Sequence, residues 1–185
     1  MSRSPIGVRS AELADAAFLA ELWSAVVRKA ERQEHVADLE QTIKAAEASP
    51  EQRLVVAEYN ECPAGAVLLR VGTVTPLNVE PAVQIIAPTV LPEFRRHGIG
   101  RTLMECGVAF AEDIGLPHVA TGVDSGARDA NRYMARLGLA AAVTYRFAPT
   151  GAVRARLATP GSSRRRSLVL TARRSMRRNE RSDED

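Results

Sequence analysis

The segment Arg95-Arg96-His97-Gly98-Ile99-Gly100 places two arginines and a histidine directly before a Gly-x-Gly corner. An apolar run at 82–91 precedes the corner, and Leu103, Cys106 and Phe110 follow it at the spacing of one helix face. This order predicts a buried strand, a tight turn and an amphipathic helix in immediate succession. A strand that leads directly into a helix is typical of folds in which helices pack on the faces of a sheet.

Two interpretations of the glycines are open. The first is a tight turn that uses the freedom of glycine to adopt positive φ. The second is an anion site, because the free N–H groups and the positive dipole end of a helix N-terminus bind phosphate. Arg95, Arg96 and Arg101 flank the glycines, and like charges this close repel one another unless an anion relieves them. We therefore favour the anion site.

The rest of the pattern predicts helices and strands on both sides of this corner. Further helices are predicted at 15–30, 36–46 and 128–137, and further strands at 5–9, 53–59, 64–71, 73–77, 118–123, 139–147 and 152–157. A loop is predicted at 76–81, and Gly138 is expected to cap the last helix. Pro88 lies inside the strand predicted at 82–91, where its missing N–H indicates a bulge or an unpaired stretch. The order predicts a mixed sheet with helices on its faces.

Composition places the chain among globular proteins. Its 185 residues are 45% hydrophobic and 25% charged, which is ordinary for one globular domain. Cys62 and Cys106 form no CxxC motif and do not cluster with histidine, so we expect neither a disulfide framework nor a zinc site. The opening MSRSPIGV lacks the apolar region of a secretory signal, and no run reaches the roughly 18 apolar residues of a membrane span. We therefore expect a cytoplasmic protein.

The basic excess of the chain lies entirely in its last 25 residues. Residues 161–185 contain eight arginines and four acidic residues, whereas residues 1–160 carry 17 basic and 18 acidic residues. Leu168, Ala172 and Met176 form a helical stripe in this tail, which has no aromatic residues for stacking on bases. A solvated, partly disordered tail is one interpretation. Two others are contact with a nucleic-acid phosphate backbone and docking of the stripe on a partner subunit.

The stretch from Val90 to Met104 resembles the acyl-CoA-binding signature of the GNAT superfamily of N-acetyltransferases, (Arg/Gln)-x-x-Gly-x-(Gly/Ala). Its Val-x-Pro-Glu lead-in and its Leu-Met follow-on agree as well. The resemblance implies an α/β (α+β) GNAT fold: a mixed, mostly antiparallel sheet of six to seven strands, flanked by about four helices and splayed at the cofactor cleft. It divides the chain into an acyltransferase domain, 1–158, and an arginine-rich tail, 159–185.

The resemblance also implies acetyl-CoA as cosubstrate and no metal. The amides of 96–100, with Arg101 and Thr102, are expected to hold the CoA pyrophosphate, and the backbone around Val90 and Leu91 to pair with the pantetheine arm. For His97, a place in solvent is favoured over a phosphate contact. The expected cofactor-binding residues are Val90, Leu91, Arg95, Arg96, His97, Gly98, Ile99, Gly100, Arg101 and Thr102.

The residues that assist catalysis depart from the family pattern. Many members carry Asn-x-x-Ala-x-x-x-Tyr-x-x-x-Gly in a later helix; with Gly138 as the anchor, Met134 occupies the tyrosine position. Tyr133 is one residue away, about 100° around the helix, which favours packing over acid catalysis. Some members place a base glutamate eleven residues before the signature, where Gln84 stands here. The candidate substitutes for the missing acid and base are Tyr133, Tyr145, Glu93 and Glu80.

The sequence thus predicts an N-acetyltransferase that acts on a small-molecule or peptide amine by direct attack in a ternary complex. Because of Met134 and Gln84, one alternative is a CoA-binding regulatory module with weak or no catalysis. Another is a nucleic-acid-associated protein that acts through its basic tail. The sequence also leaves open whether the protein forms a homodimer.

Overall fold

The computed structural model describes residues 5–24, 32–75, 77–124 and 126–158. The arginine-rich tail predicted at 159–185 lies outside these residues, and so do its predicted helical stripe and contacts. The chain divides into two compact units, Met1–Ala141 and Ala142–Asp185. The division of the chain into a domain at 1–158 and a tail stays a prediction.

The first unit is built on one sheet in the strand order β1-β2-β3-β4-β5. Its strands are β1 (Ile6–Ser10), β2 (Gln52–Tyr59), β3 (Cys62–Thr75), β4 (Asn78–Val90) and β5 (Val119–Thr121). Neighbours from β1 to β4 are antiparallel, and β5 is parallel to β4. The sheet is therefore mixed and mostly antiparallel, as the sequence predicts.

Helices cover both faces of the sheet. The first unit contains α1 (Ala16–Leu22), α2 (Arg32–Ala48), α3 (Ile99–Asp113) and α4 (Arg128–Arg136). Leu54 and Val56 of β2 are buried in a cluster with residues of α1 and α2, whereas Ala57, on the opposite face, is buried in the cluster that contains residues of α3. Because side chains alternate between the faces of a strand, the sheet separates two apolar cores.

Helix α3 lies close against β4 because Gly107 has no side chain. A Cβ at Gly107 would come within 2.6 Å of Ile85 Cγ1, and Ile85 is fully buried. This contact sets the distance between β4, which leads into the basic corner, and α3, which leads out of it.

The number of strands differs from the prediction. Within the described ranges the sheet has five strands rather than six to seven, because residues 139–147 form no regular structure and the second unit contains a helix, α5 (Thr150–Leu157), where a strand was predicted at 152–157. Pro149 directly precedes α5, and its restricted φ suits the start of a helix. Alanine and arginine then favour continuation.

The loop predicted at 76–81 is also shorter than expected. Strand β4 begins at Asn78, and Pro81 is paired with Thr73 of β3. Pro81 is tolerated because β4 meets β5 only from Val83 onward, so Pro81 lies on an open edge where no N–H is required.

Candidate functional site

A bulge interrupts β4 before it reaches the corner. Leu68 of β3 pairs with Ile86 and Ala66 pairs with Thr89, so β4 contains one extra residue at this point. Ala87 has a φ of +47° there, which is uncommon for a residue with a side chain. The irregularity that Pro88 indicated is therefore confirmed, and it distorts β4 seven to nine residues before Arg95 and Arg96.

The two last strands of the sheet share only three residue pairs. Pairing ends at Ile85 and Thr121, where Thr121 Oγ1 donates to the Ile85 carbonyl oxygen at 2.8 Å. Among the residues that the structure describes, β4 has no β5 partner from Ile86 to Val90. The strand thus reaches the corner with one edge open for hydrogen bonding.

The corner contains a row of unpaired backbone N–H groups. Arg96 and Gly98 both have left-handed backbone, with φ of 66° and 92°, and α3 begins directly afterwards. The N–H groups of Arg101 and Thr102 donate to the Gly98 carbonyl oxygen at 2.9 and 3.1 Å. By contrast, the five N–H groups of residues 96–100 have no acceptor in the described parts of the chain. Unpaired N–H groups in such a turn form a concave site for anions.

Positive charge surrounds this row of N–H groups. Arg95 and Arg96 are exposed, and neither has an acidic partner within the described ranges. Arg101 differs, because its Nε donates to Glu105 Oε1 at 2.7 Å on the exposed face of α3. The uncompensated charge therefore lies on the two arginines that precede Gly98.

The remaining predicted cofactor residues border the same corner. His97 is exposed, as expected, and its ring packs on Tyr59 with centroids 4.6 Å apart. Val90 pairs with Gly65 of β3, and the Leu91 N–H donates to the Ala64 carbonyl oxygen at 2.9 Å. Leu91 therefore has its N–H bonded to β3, and its carbonyl oxygen accepts from the Phe94 N–H at 3.0 Å, so both of its backbone groups are engaged.

Gln84 is held by two residues of β3, Arg70 and Thr73. Its Nε2 donates to the Thr73 carbonyl oxygen at 2.9 Å, and its Oε1 accepts from Arg70 at 3.1 Å. An amide cannot accept a proton at neutral pH. The position at which some family members have a glutamate base is thus occupied by a fixed, neutral side chain.

Tyr133 is packed rather than open to solvent at its polar end. Its hydroxyl is buried and has no hydrogen-bond partner in the described part of the chain. Burial raises the pKa of Tyr133, while the positive charge of Arg101 opposes this shift. Met134, which occupies the family's tyrosine position, is buried in the core on the α3 face. Neither residue presents an accessible acid.

The other candidates are exposed or already engaged. Glu93 is exposed in a short 3-10 turn, Pro92–Phe94, at the entrance to the corner. Tyr145 belongs to the second unit, where it is exposed. Glu80 lies 3.3 Å from His118 Nδ1. Their roles in catalysis stay predictions.

Two residues that the sequence did not single out contact the site from other elements. Trp23, directly after α1, donates its indole N–H to the Ala87 carbonyl oxygen in the β4 bulge. Tyr59, the last residue of β2, contacts both Phe94 and His97 in the corner. Both contacts join residues far apart in the chain, so no local pattern indicates them.

Cys106 lies inside α3, where it is partly buried against the core on that face of the sheet, and burial raises the pKa of its thiol. No helix in the described ranges is long and apolar enough to cross a membrane. The described residues also contain no group of three His, Cys, Asp or Glu side chains arranged to hold a metal ion.

Many solved structures share this fold. A transcriptional regulator from Bacillus halodurans C-125 superimposes with a TM-score of 0.64 at 18% identity, covering 78% of this chain and 99% of that one. The aminoglycoside N-acetyltransferase AAC(6')-Iy in complex with CoA superimposes with a TM-score of 0.66 at 16% identity, covering 80% of this chain and 97% of that one. Glucosamine-6-phosphate N-acetyltransferase from Arabidopsis thaliana superimposes with a TM-score of 0.60 at 15% identity, covering 78% of this chain and 98% of that one. At these identities the likeness establishes the fold.

No curated protein matches the sequence significantly. The family model described as "Acetyltransferase (GNAT) family" matches residues 16–139, which is more than half of the 185 residues. The matched range runs from α1 to the cap of α4 and includes the bulged strand and the whole basic corner. With both the sequence match and the fold in agreement, this chain belongs to the acetyltransferase (GNAT) family.

Proposed function

We propose that this protein is an N-acetyltransferase that transfers an acetyl group from acetyl-CoA to an amine. The observation that carries the proposal is the row of five N–H groups at residues 96–100, which have no acceptor in the described chain and adjoin two uncompensated arginines. A diphosphate satisfies both features, because it accepts several hydrogen bonds and carries negative charge. The structure of AAC(6')-Iy with CoA supports acetyl-CoA as the cosubstrate.

Each part of the corner has a separate role in this proposal. The amides of 96–100 bind the pyrophosphate, and the positive end of the α3 dipole adds to their attraction. Arg95 and Arg96 neutralise its charge. The open edge of β4 before Leu91 pairs with the pantetheine arm as an added strand would, since its backbone groups lack a β5 partner.

Bound acetyl-CoA supplies an activated thioester. The nitrogen of the acceptor amine attacks the thioester carbonyl carbon, a C–N bond forms and the C–S bond breaks. The amine loses a proton, and the departing thiolate gains one. Because Gln84 cannot accept a proton, we expect the rate to depend on the fraction of amine that is already neutral and on its alignment with the thioester.

Calorimetry with CoA and acetyl-CoA, followed by a thiol-release assay with a panel of small-molecule and peptide amines, tests this function. We expect both cofactors to bind and at least one class of amine to release CoA thiol. At saturating acetyl-CoA, the rate should rise with pH until the pKa of the amine is reached. A folded protein that binds neither cofactor would exclude the proposal.

A second candidate function is a CoA-binding regulatory module. It is favoured by the buried Met134 and by the hydrogen-bonded Gln84, which occupy the two positions where family members have an acid or a base. Cofactor binding without thiol release from any amine of the panel would indicate this function. Binding of nucleic acid by the tail stays a separate prediction, because the tail lies outside the described residues.

A further inference from the structure

The ring of Tyr59 contacts the basic corner on both sides of its two arginines. Its centroid lies 6.0 Å from that of Phe94 and 4.6 Å from that of His97, with tilted interplanar angles of 48° and 54°. Tilted pairs at these distances are attractive arrangements for aromatic rings. Arg95 and Arg96 form the segment between the two contacts.

Tyr59 itself is held firmly in the sheet. It pairs with Ile6 of β1 and with Cys62 of β3. The two residues that follow it, Asn60 and Glu61, both have positive φ, as the tight two-residue turns of β-hairpins require. Tyr59 is thus a fixed support, whereas the corner it contacts is a loop.

The loop needs such a support because Arg96 adopts left-handed backbone. A residue with a Cβ is less stable in this conformation and retains it only where surrounding contacts impose it. The exposed arginine side chains have no acidic partner within the described ranges. The two ring contacts of Tyr59, one before and one after the arginines, lie on either side of Arg96.

We infer that Tyr59 is a positioning residue for diphosphate binding, acting through Phe94 and His97 on the backbone of Arg96. Its ring fixes the loop so that the N–H groups of 96–100 are oriented before the ligand arrives. It also holds the imidazole of His97, whose nitrogens have no hydrogen-bond partner in the described chain, beside these N–H groups. The inference rests on the proposed binding of acetyl-CoA and extends it to a residue outside the signature.

The test compares Tyr59→Ala with Tyr59→Phe in the full-length protein, with CoA as the probe in calorimetry. Removing the ring should weaken CoA binding about tenfold, equivalent to about 1.4 kcal/mol. The phenylalanine variant keeps both ring contacts and should restore binding to within about twofold. Phe147→Ala is the matched control, since it removes an aromatic ring that is 99% exposed.

A second variant, Phe94→Leu, removes one ring contact from the loop side and leaves the sheet intact. It should also weaken CoA binding, which keeps the inference testable if Tyr59→Ala does not fold. A folded Tyr59→Ala or Phe94→Leu protein with wild-type CoA affinity would overturn the inference and leave the proposed function standing. Equal losses in Tyr59→Ala and Tyr59→Phe would overturn it too, because the ring would then not be the cause. A wild-type protein that binds no CoA would instead overturn the proposed function.

Discussion

The indole N–H of Trp23 donates to the carbonyl oxygen of Ala87 at 2.9 Å, across 64 positions of the chain. Thr89 Oγ1 donates to the same carbonyl oxygen at 2.9 Å. Ala87 is the bulge residue with positive φ, and Trp23 is almost fully buried. The residue that follows α1 is therefore bonded to the bulge of β4, eight residues before Arg95 in the corner that we propose to bind CoA.

Replacing Trp23 with phenylalanine removes this donor and should lower the free energy of unfolding. We expect a loss of about 1–3 kcal/mol, from the lost hydrogen bond to a buried carbonyl and the smaller ring. Urea denaturation measures it. Thr89→Val is the comparison: it removes the second donor and also the hydroxyl oxygen that accepts from the same indole N–H at 3.1 Å. It should cost less, because the indole stays in place and keeps its hydrogen bond to Ala87. Unchanged stability of Trp23→Phe would show that the indole does not hold the bulge.

Gly98→Asp should abolish most of the affinity for CoA. The carboxylate adds negative charge at the row of N–H groups, and the φ of 92° disfavours a side chain. Gly98→Asn adds nearly the same atoms without charge and is better tolerated in left-handed backbone. Calorimetry should show binding by the aspartate variant at least about tenfold weaker than by the asparagine variant. Equal affinities would show that no anion binds at this turn.

Tyr133→Phe should leave turnover nearly unchanged and stability equal or higher. The hydroxyl it removes is buried without a partner in the described chain, so its loss relieves an unsatisfied polar group, worth up to about 1 kcal/mol. Thermal unfolding and steady-state kinetics measure the two effects. A fall in kcat of about 100-fold or more with an unchanged KM would instead identify Tyr133 as a general acid.

Asp15 should contribute stability that is lost in acid. Its carboxylate accepts from Arg9 Nη1 and Nη2 at 2.7 and 2.9 Å and from the Glu12 N–H. Hydrogen bonding to Arg9 lowers the pKa of this buried carboxyl below its usual value. The contribution is therefore complete above the unfolded pKa of about 3.9 and disappears as pH falls through the lower folded value.

The matched variant is Asp15→Asn, which keeps the shape of the side chain and removes its charge. It should cost about 1–3 kcal/mol at pH 7, because it leaves the partly exposed Arg9 without that partner. Its stability should also fall less steeply than that of the wild type between about pH 4 and pH 2. If the free energy of unfolding fell equally steeply with pH in the two proteins, Asp15 would not be the titrating group.

Gly107→Ala should destabilise the first unit, because the added Cβ meets the buried Ile85. We expect a loss of about 1–3 kcal/mol from overpacking, reduced by up to about 1 kcal/mol through the better helix propensity of alanine. Gly151→Ala in α5 is the control, since a Cβ there meets nothing within 4 Å. The free energy of unfolding of Gly151→Ala should be unchanged or slightly higher. A stabilised Gly107→Ala protein would show that α3 is free to move away from β4.

The basic corner could be predicted because its determinants are consecutive residues. Gly98 supplies the positive φ that ends the loop and starts α3, and the apolar stripe of α3 follows at a period that sequence alone reveals. Pro88 indicated the bulge for the same reason, since a missing N–H is a property of one residue. These features depend on local backbone chemistry, which needs no knowledge of distant contacts.

The segment at 139–147 shows where local pattern was insufficient. Its alternation suits a strand, yet a strand forms only with a neighbour to share hydrogen bonds, and neighbours are assigned by the whole sheet. The side chains that contact the corner and the bulge from other elements could not be predicted either. Tyr59 reaches His97, and Trp23 reaches Ala87, only because the sheet and α1 bring distant parts of the chain together. The sequence by itself determined the turn at Gly98 and the start of α3 that follows it; the tertiary structure decided which side chains contact that corner and the bulge before it, because packing contacts depend on distance in space rather than along the chain.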